Sequence, residues 1–405
     1  MKNISQYTGW VIPAALLLIL TWTGGVSWGA TPQVAAGSSH TIFLHSDGTL
    51  WGAGQNAFGQ LGDGTFADHS APARIGTASS WTAIAAGLEH NLALRADGTL
   101  WAWGLNDFGA LGVVNNAGIP IASQGSPVQV GTARNWVAVA AAGGASSYAL
   151  KADGTLWAWG DNTLGQLGNG NPSGAQVNTP GQVLNPSGIA FVAIASGGGH
   201  ALALQADGSL WSWGSNNNGE LGQGNTLPQT SPATPAQVIL ATATSDNDWS
   251  AIAAGDSHSL ALKADGTLWS WGSNSNGQLG QPGLGAGKGI NQPTPTPVGS
   301  DRNWSGISAG SLNSLALKRN GTLWSFGDNG HGQLGAGQNA LLSISPVQTS
   351  PNSADMVALS GGAFHGIALK SNGAIYAFGD NSSGQFGSGS TTSSTSLVLA
   401  CRDSL

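Results

Sequence analysis

Five histidines recur at one offset. His40, His90, His200, His258 and His365 each stand seven residues before an Asp or Asn that is followed by glycine. Imidazole is the commonest physiological general base and a common metal ligand, but either role needs several groups to converge on one point. The same position holds Ser146 and Asn313 in two further copies, and neither residue replaces a base or a ligand well. Histidines spread one per repeat fit side chains that satisfy buried backbone groups. No metal and no cofactor is expected. Asp63, Asp68, Glu89, Asp107, Glu220 and Asp256 are the acids available for catalysis, and a lyase or hydrolase would need two of them beside a histidine. The chain is read as a non-enzyme, with that site as the alternative.

Other catalytic signatures fail on context. Gly25–Gly29, "GVSWG", matches an esterase pattern but lies in an apolar leader. Gly283–Gly289, "GLGAGKG", resembles a phosphate loop, yet Pro282 replaces the first glycine and Gly289 replaces the hydroxyl residue after lysine. Gly62–Asp68, "GDGTFAD", has too few ligands for a calcium loop.

The elements that position these residues are repeats. Asp47, Asp97, Asp153, Asp207, Asp265, Asn320 and Asn372 align at spacings of 50, 56, 54, 58, 55 and 52 residues. In the fifth copy, "WSAIAAG" is followed by "HSLALKADGTLWSWG", two alternating runs joined at Asp265-Gly266. An Asp-Gly pair between such runs is a strong hairpin signal, because the turn needs positive φ. An Asn/Gly loop and a Pro-containing segment complete about four short strands per unit. Seven such units predict an all-β, seven-bladed propeller. The Pro-type segment precedes six copies and is missing before the first. The segment "TSLVLACRDSL" at the far end is therefore expected to pair with the first blade and close the ring. Tryptophans fall on three repeat positions. A sugar platform is conceivable, but regular recurrence favours packing between blades.

Composition narrows the function. The 405 residues include 64 glycines and 17 tryptophans, only 8% are charged, and the net charge is −7. No Lys/Arg run offers a nucleic-acid footprint. Residues 1–29 read as a signal peptide, with Lys2, the apolar run Trp10–Trp22 and small residues fitting cleavage before Ala30. Residues 30–405 are then the propeller, secreted or periplasmic and monomeric, with no membrane insertion after cleavage; an uncleaved anchor is the alternative. The lone Cys401 allows no disulfide within the chain and leaves an intermolecular bond open.

The sentence "GxxHSLAL…DGTLWxWGxNxxGQLG", repeated seven times, resembles the regulator of chromosome condensation family across nearly all of the mature chain. That resemblance implies the propeller. Founding eukaryotic members catalyse nucleotide exchange on a small nuclear GTPase, which makes exchange-factor activity one alternative. The propeller-type β-lactamase-inhibitor protein is similar in kind and makes a secreted inhibitor another. Within the fixed loop N-x-x-G, the residue before glycine varies: Phe58, Phe108, Leu164, Asn218, Asn276, His331 and Ser383. If the copies superpose, Phe58, Phe108 and Leu164 form an apolar arc on one face. It is either an interface for a partner protein, with His331 further round, or a set of side chains tucked against the next blade. A protein-binding module is the favoured reading, with a purely architectural surface protein as a further possibility.

Overall fold

The computed structural model describes residues 30–171, 174–224, 232–240, 246–284, 290–338, 340–349 and 354–402. The leader and its GxSxG match lie outside these residues, as do residues 285–289 of the phosphate-loop resemblance. Blade one comprises β1 (Gln33–Ala36), β2 (His40–Leu44), β3 (Leu50–Gly54) and β4 (His69–Arg74), each antiparallel to the next. Six more four-stranded sheets follow in the same order, innermost strand to outermost, and together they form the expected all-β, seven-bladed propeller.

Local chemistry explains the blade. In blade five, Lys263 N bonds to Thr267 O and Gly266 N to Lys263 O, closing the hairpin between the second and third strands. Only the glycine takes positive φ, +83° at Gly266, so the turn is a three-residue loop with a glycine bulge. The Asp has a separate task. Asp265 Oδ1 accepts from the backbone N and Oγ1 of Thr267, whose Oγ1 accepts from Trp269 Nε1. Asp47, Asp97 and Asp153 do the same through Thr49, Thr99 and Thr155, and Asp207 does so through Ser209.

Packing runs between blades. Leu202, Leu204 and Leu210 of blade four form one cluster with Trp249, Ile252, Ala261 and Trp271 of blade five. Trp103, Trp159, Trp213 and Trp271 are fully buried. Each donates its indole N–H to a backbone carbonyl of the preceding blade, as Trp271 does to Glu220 at 2.8 Å. Burying such rings stabilises the sandwich by roughly 2–3 kcal/mol each.

The ring closes differently from expectation. The final strand, Ser394–Arg402, pairs with Ala374–Gly379 of its own blade seven, and blade one is complete without it. The Pro-type segment ends one unit instead of opening the next: Gln292–Pro297 pairs with the third strand of blade five. With that phase no strand is left over. The seam is a lateral contact in which Phe43 and Ala53 of blade one pack with Ile367, Leu369 and Phe386 of blade seven. Thr41 Oγ1 bridges His365 Nε2 at 3.0 Å and Gln385 O at 2.7 Å across it.

Candidate functional site

Antiparallel order fixes two faces. The first–second and third–outer connections emerge on one side, here termed the loop face; the Asp-Gly turns and the connections between blades emerge on the other, the turn face.

The histidines tie blades together. His40 Nε2 meets Asn91 Oδ1 at 2.8 Å, and Asn91 Nδ2 donates to Gln60 O. Because the amide donates through Nδ2, the imidazole donates from Nε2–H, and full burial with no partner at Nδ1 keeps the ring neutral. His90, His200 and His258 meet Ser147, Ser259 and Ser314 at 2.9 Å, and each serine donates onward to a carbonyl. His365 and Thr41 are the same link across the seam. The two exceptions are reciprocal. Ser146 and Asn313 replace histidine where the next blade offers Ala201 and Gly366, neither of which has a side chain that can accept a bond. At the first of these, Tyr148 Oη donates instead to Gln166 O at 2.6 Å. Burial drives the imidazole pKa values down, to about 4 for His40 and His90 and about 3 for His258 and His365. Burial lowers His200 as well.

The acids do not converge. Asp63 accepts from Thr65 and Asn56 and lies 2.8 Å from His69, while Asp68 accepts from Asn56 N. Glu220 is buried and accepts from Ser215 Oγ and Asn218 N. Asp256 stands at the axial mouth on the loop face, a small cavity of about 90 Å³ ringed by Gly and Ala. Burial among those loops raises its pKa, with Ser311 opposing. Among the described residues, no two of these acids hydrogen-bond one histidine, and no group of three His, Cys, Asp or Glu could hold a metal. An apolar channel of about 340 Å³ runs between the innermost strands.

The variable loop positions stand on the loop face. Their frame is fixed by the loop Asn, whose Oδ1 accepts from Leu61 N in blade one and Leu167 N in blade three. A glutamine two residues later caps the variable residue's own N–H: Phe58 N to Gln60 Oε1 at 2.9 Å, Leu164 N to Gln166 Oε1 at 2.7 Å, His331 N to Gln333 Oε1 at 2.8 Å. Blade two breaks the frame. Ala110 replaces the glutamine, and Phe108 takes a left-handed φ of +57°. Phe108 is 49% exposed and Leu164 36%, whereas Phe58 is half-buried. Leu164 also leans on the next blade, with its Cδ1 over Gly199. His331 is exposed and packs against Phe364 with the rings tilted at 45°, centroids 4.7 Å apart. Outward and tucked orientations thus coexist in one ring.

Sequence reasoning passed over Phe66, Leu88 and Ile119, exposed by 57%, 43% and 58% on this face. They fall off the repeat frame. An isolated apolar residue in a polar loop, as in "GDGTFADH", was the available signal.

The turn face is built otherwise. Arg95, Lys151, Lys263 and Lys318 each end a second strand with the cation 3.8 to 5.1 Å from the ring of a third-strand tryptophan; Lys370 does the same over Tyr376 at 5.3 Å. Ion pairs cover the same surface, among them Arg134–Asp97 at 2.8 Å and Lys318–Asp301 at 2.7 Å.

Known proteins share this design. A family model described as RCC1-like domain matches residues 172–403, more than half of the chain. Models of the regulator of chromosome condensation (RCC1) repeat match residues 33–60, 81–110 and 136–166, and in a second form 47–94 and 97–150. The chain is 30% identical to the ultraviolet-B receptor UVR8 of Arabidopsis thaliana over 361 residues, 88% of this chain and 78% of that one. It is 29% identical to the human E3 ubiquitin-protein ligase HERC2 over 249 residues, 62% of this chain but only 5% of HERC2. The crystal structure of Prp20p from Saccharomyces cerevisiae superposes with a TM-score of 0.76 at 24% identity, covering 89% of this chain and 88% of that one, which shows the shared fold. With its sequence matches reaching from the first blade to the last, the chain belongs to the regulator of chromosome condensation (RCC1) repeat family.

Proposed function

We propose that this propeller is an exported protein-binding module that seats a partner polypeptide on its loop face, with Phe58, Phe108 and Leu164 as apolar anchors and His331 further round the ring. The observation that carries the reading is Phe108. Its aromatic ring is half open to water, and its backbone occupies a conformation that costs a non-glycine residue about 1 kcal/mol. At the same position blades four, five and seven use Asn218, Asn276 and Ser383, so the ring does not require an aromatic there. Strained, exposed residues of this kind concentrate at ligand contacts. The relatives agree in kind: Prp20p is described by its binding to Gsp1p and histones, and in complex with Kap60. The reading of residues 1–29 as a signal peptide supports action outside the cytoplasm, and a monomer is proposed as the acting form.

The test is capture from the producing organism's envelope and medium, using the mature protein and a Phe58→Ala/Phe108→Ala variant. A partner retained by the first and lost by the second, with unfolding temperatures unchanged, supports the reading. A partner held equally by both removes the site.

A further inference from the structure

The two faces differ in charge as well as in shape. Every Lys and Arg whose side chain is described belongs to the turn face: five end second strands over aromatic rings, and Arg74, Arg134, Arg302 and Arg319 occupy an outer-strand end, turns or connections on that side. Lys2 and Lys288 lie outside the described residues. The loop face therefore has carboxylates and, among the described residues, no permanent cation. Asp68 and Asp107 are exposed in the loops of blades one and two that bear Phe58, Phe66 and Phe108, and Glu89 is half-buried in the neighbouring first-to-second-strand connection of blade two, beside Leu88. Asp256 adds a charge at the axial mouth, and Asp161, Asp328 and Asp380 add half-buried charges in blades three, six and seven. The imidazoles facing them are His69, already against Asp63, and His331, packed at a tilt against Phe364. Burial and then the charge of Asp107 raise the Glu89 pKa, as expected for carboxylates that lack a counter-ion.

We infer that the partner seated on the loop face is a basic polypeptide segment, with Lys or Arg side chains meeting Asp68, Glu89, Asp107 and Asp256 around apolar residues that cover Phe108 and Phe58. This rests on the loop-face reading above and adds the partner's chemistry to it. Complementary potential steers such a segment to the face and rejects acidic competitors. A second copy of this chain fits less well, because four cations of its turn face, Arg134, Lys263, Arg302 and Lys318, already pair with its own Asp97, Asp246, Asp265 and Asp301.

The experiment uses the full mature chain and two labelled synthetic peptides of equal length. One intersperses Lys with Phe and Leu; in the other Glu replaces every Lys. Binding is read by fluorescence anisotropy at low and physiological salt. The variant Asp68→Asn/Glu89→Gln/Asp107→Asn/Asp256→Asn removes the charges with little change of shape. Asp153→Asn on the turn face is the control, since Asn320 and Asn372 already occupy equivalent turns. The Lys peptide should bind and the Glu peptide should not. The four-fold variant should bind the Lys peptide about 30-fold more weakly at low salt, from four rim pairs of ordinary strength, and Asp153→Asn should change nothing. Equal binding of both peptides, no binding of the Lys peptide, or an unaltered four-fold variant overturns the proposal. If both peptides bind alike and Phe58→Ala/Phe108→Ala weakens both, the loop-face reading survives while the basic partner falls. Concentration-dependent self-association abolished by the four-fold variant would make a second copy the occupant and overturn it as well.

Discussion

Lowering the pH from 7 to 5 should unfold this protein through its histidines. The imidazole at five of the seven blade junctions is fully buried, donates from Nε2 and is held neutral, and for His40, His90, His258 and His365 the native pKa lies far below the ordinary 6.5. The unfolded chain binds protons near pH 6.5 and the native ring does not. Stability is therefore complete above about pH 6.5 and is lost as pH falls toward 4. Each histidine with a native pKa of about 4 or 3 forfeits about 2 kcal/mol between pH 7 and 5. His40, His90, His258 and His365 together forfeit about 8 kcal/mol, comparable to the entire stability of many domains, roughly 5–15 kcal/mol. Glu89 and Asp256, with raised pKa values, work in the opposite sense and reduce the loss. Isothermal urea unfolding across this range measures it, with a slope near pH 5.5 of about 5 kcal/mol per pH unit. His90→Asn, which installs the residue that blade six carries as Asn313, should remove about a quarter of that slope. A flat profile between pH 7 and 5, or an unchanged slope in the variant, would refute the neutral-histidine account.

Two further outcomes follow from the structure. Thr41→Ala strands His365 Nε2 and Gln385 O at the seam and should cost about 2 kcal/mol in urea unfolding; a loss below a few tenths would mean that the link does not hold the ring shut. Phe108→Gly relieves the left-handed backbone and should leave stability unchanged or raise it by up to about 1 kcal/mol while weakening partner capture; a destabilised protein would show that the ring is a packing residue.

The fold was legible because seven copies average away accidents: hairpin, loop and core positions recur in every unit. The phase was not. A Pro-containing run between two units can pair with the sheet before or after it, and only hydrogen bonding shows that Gln292–Pro297 belongs to the sheet before. That single ambiguity produced the expectation of a borrowed closing strand. The histidine links were in principle readable, since Ser146 with Ala201 and Asn313 with Gly366 change together. Seeing this requires comparing each copy with its neighbour's next position instead of with its own equivalent. The loop-face anchors were half legible. The repeat located Phe58, Phe108 and Leu164, but whether each turned outward depended on one capping glutamine and on small neighbours such as Gly199. The segregation of charge needed only strand direction, once the phase was known.

Hydrogen–deuterium exchange on the captured complex tests the central claim most directly. Seating of a partner on the loop face predicts slowed exchange in the loops around Phe58, Phe108 and Leu164 and unchanged exchange in the Asp-Gly turns at Asp97, Asp153 and Asp265. Protection confined to those turns, or spread evenly over both faces, would contradict it.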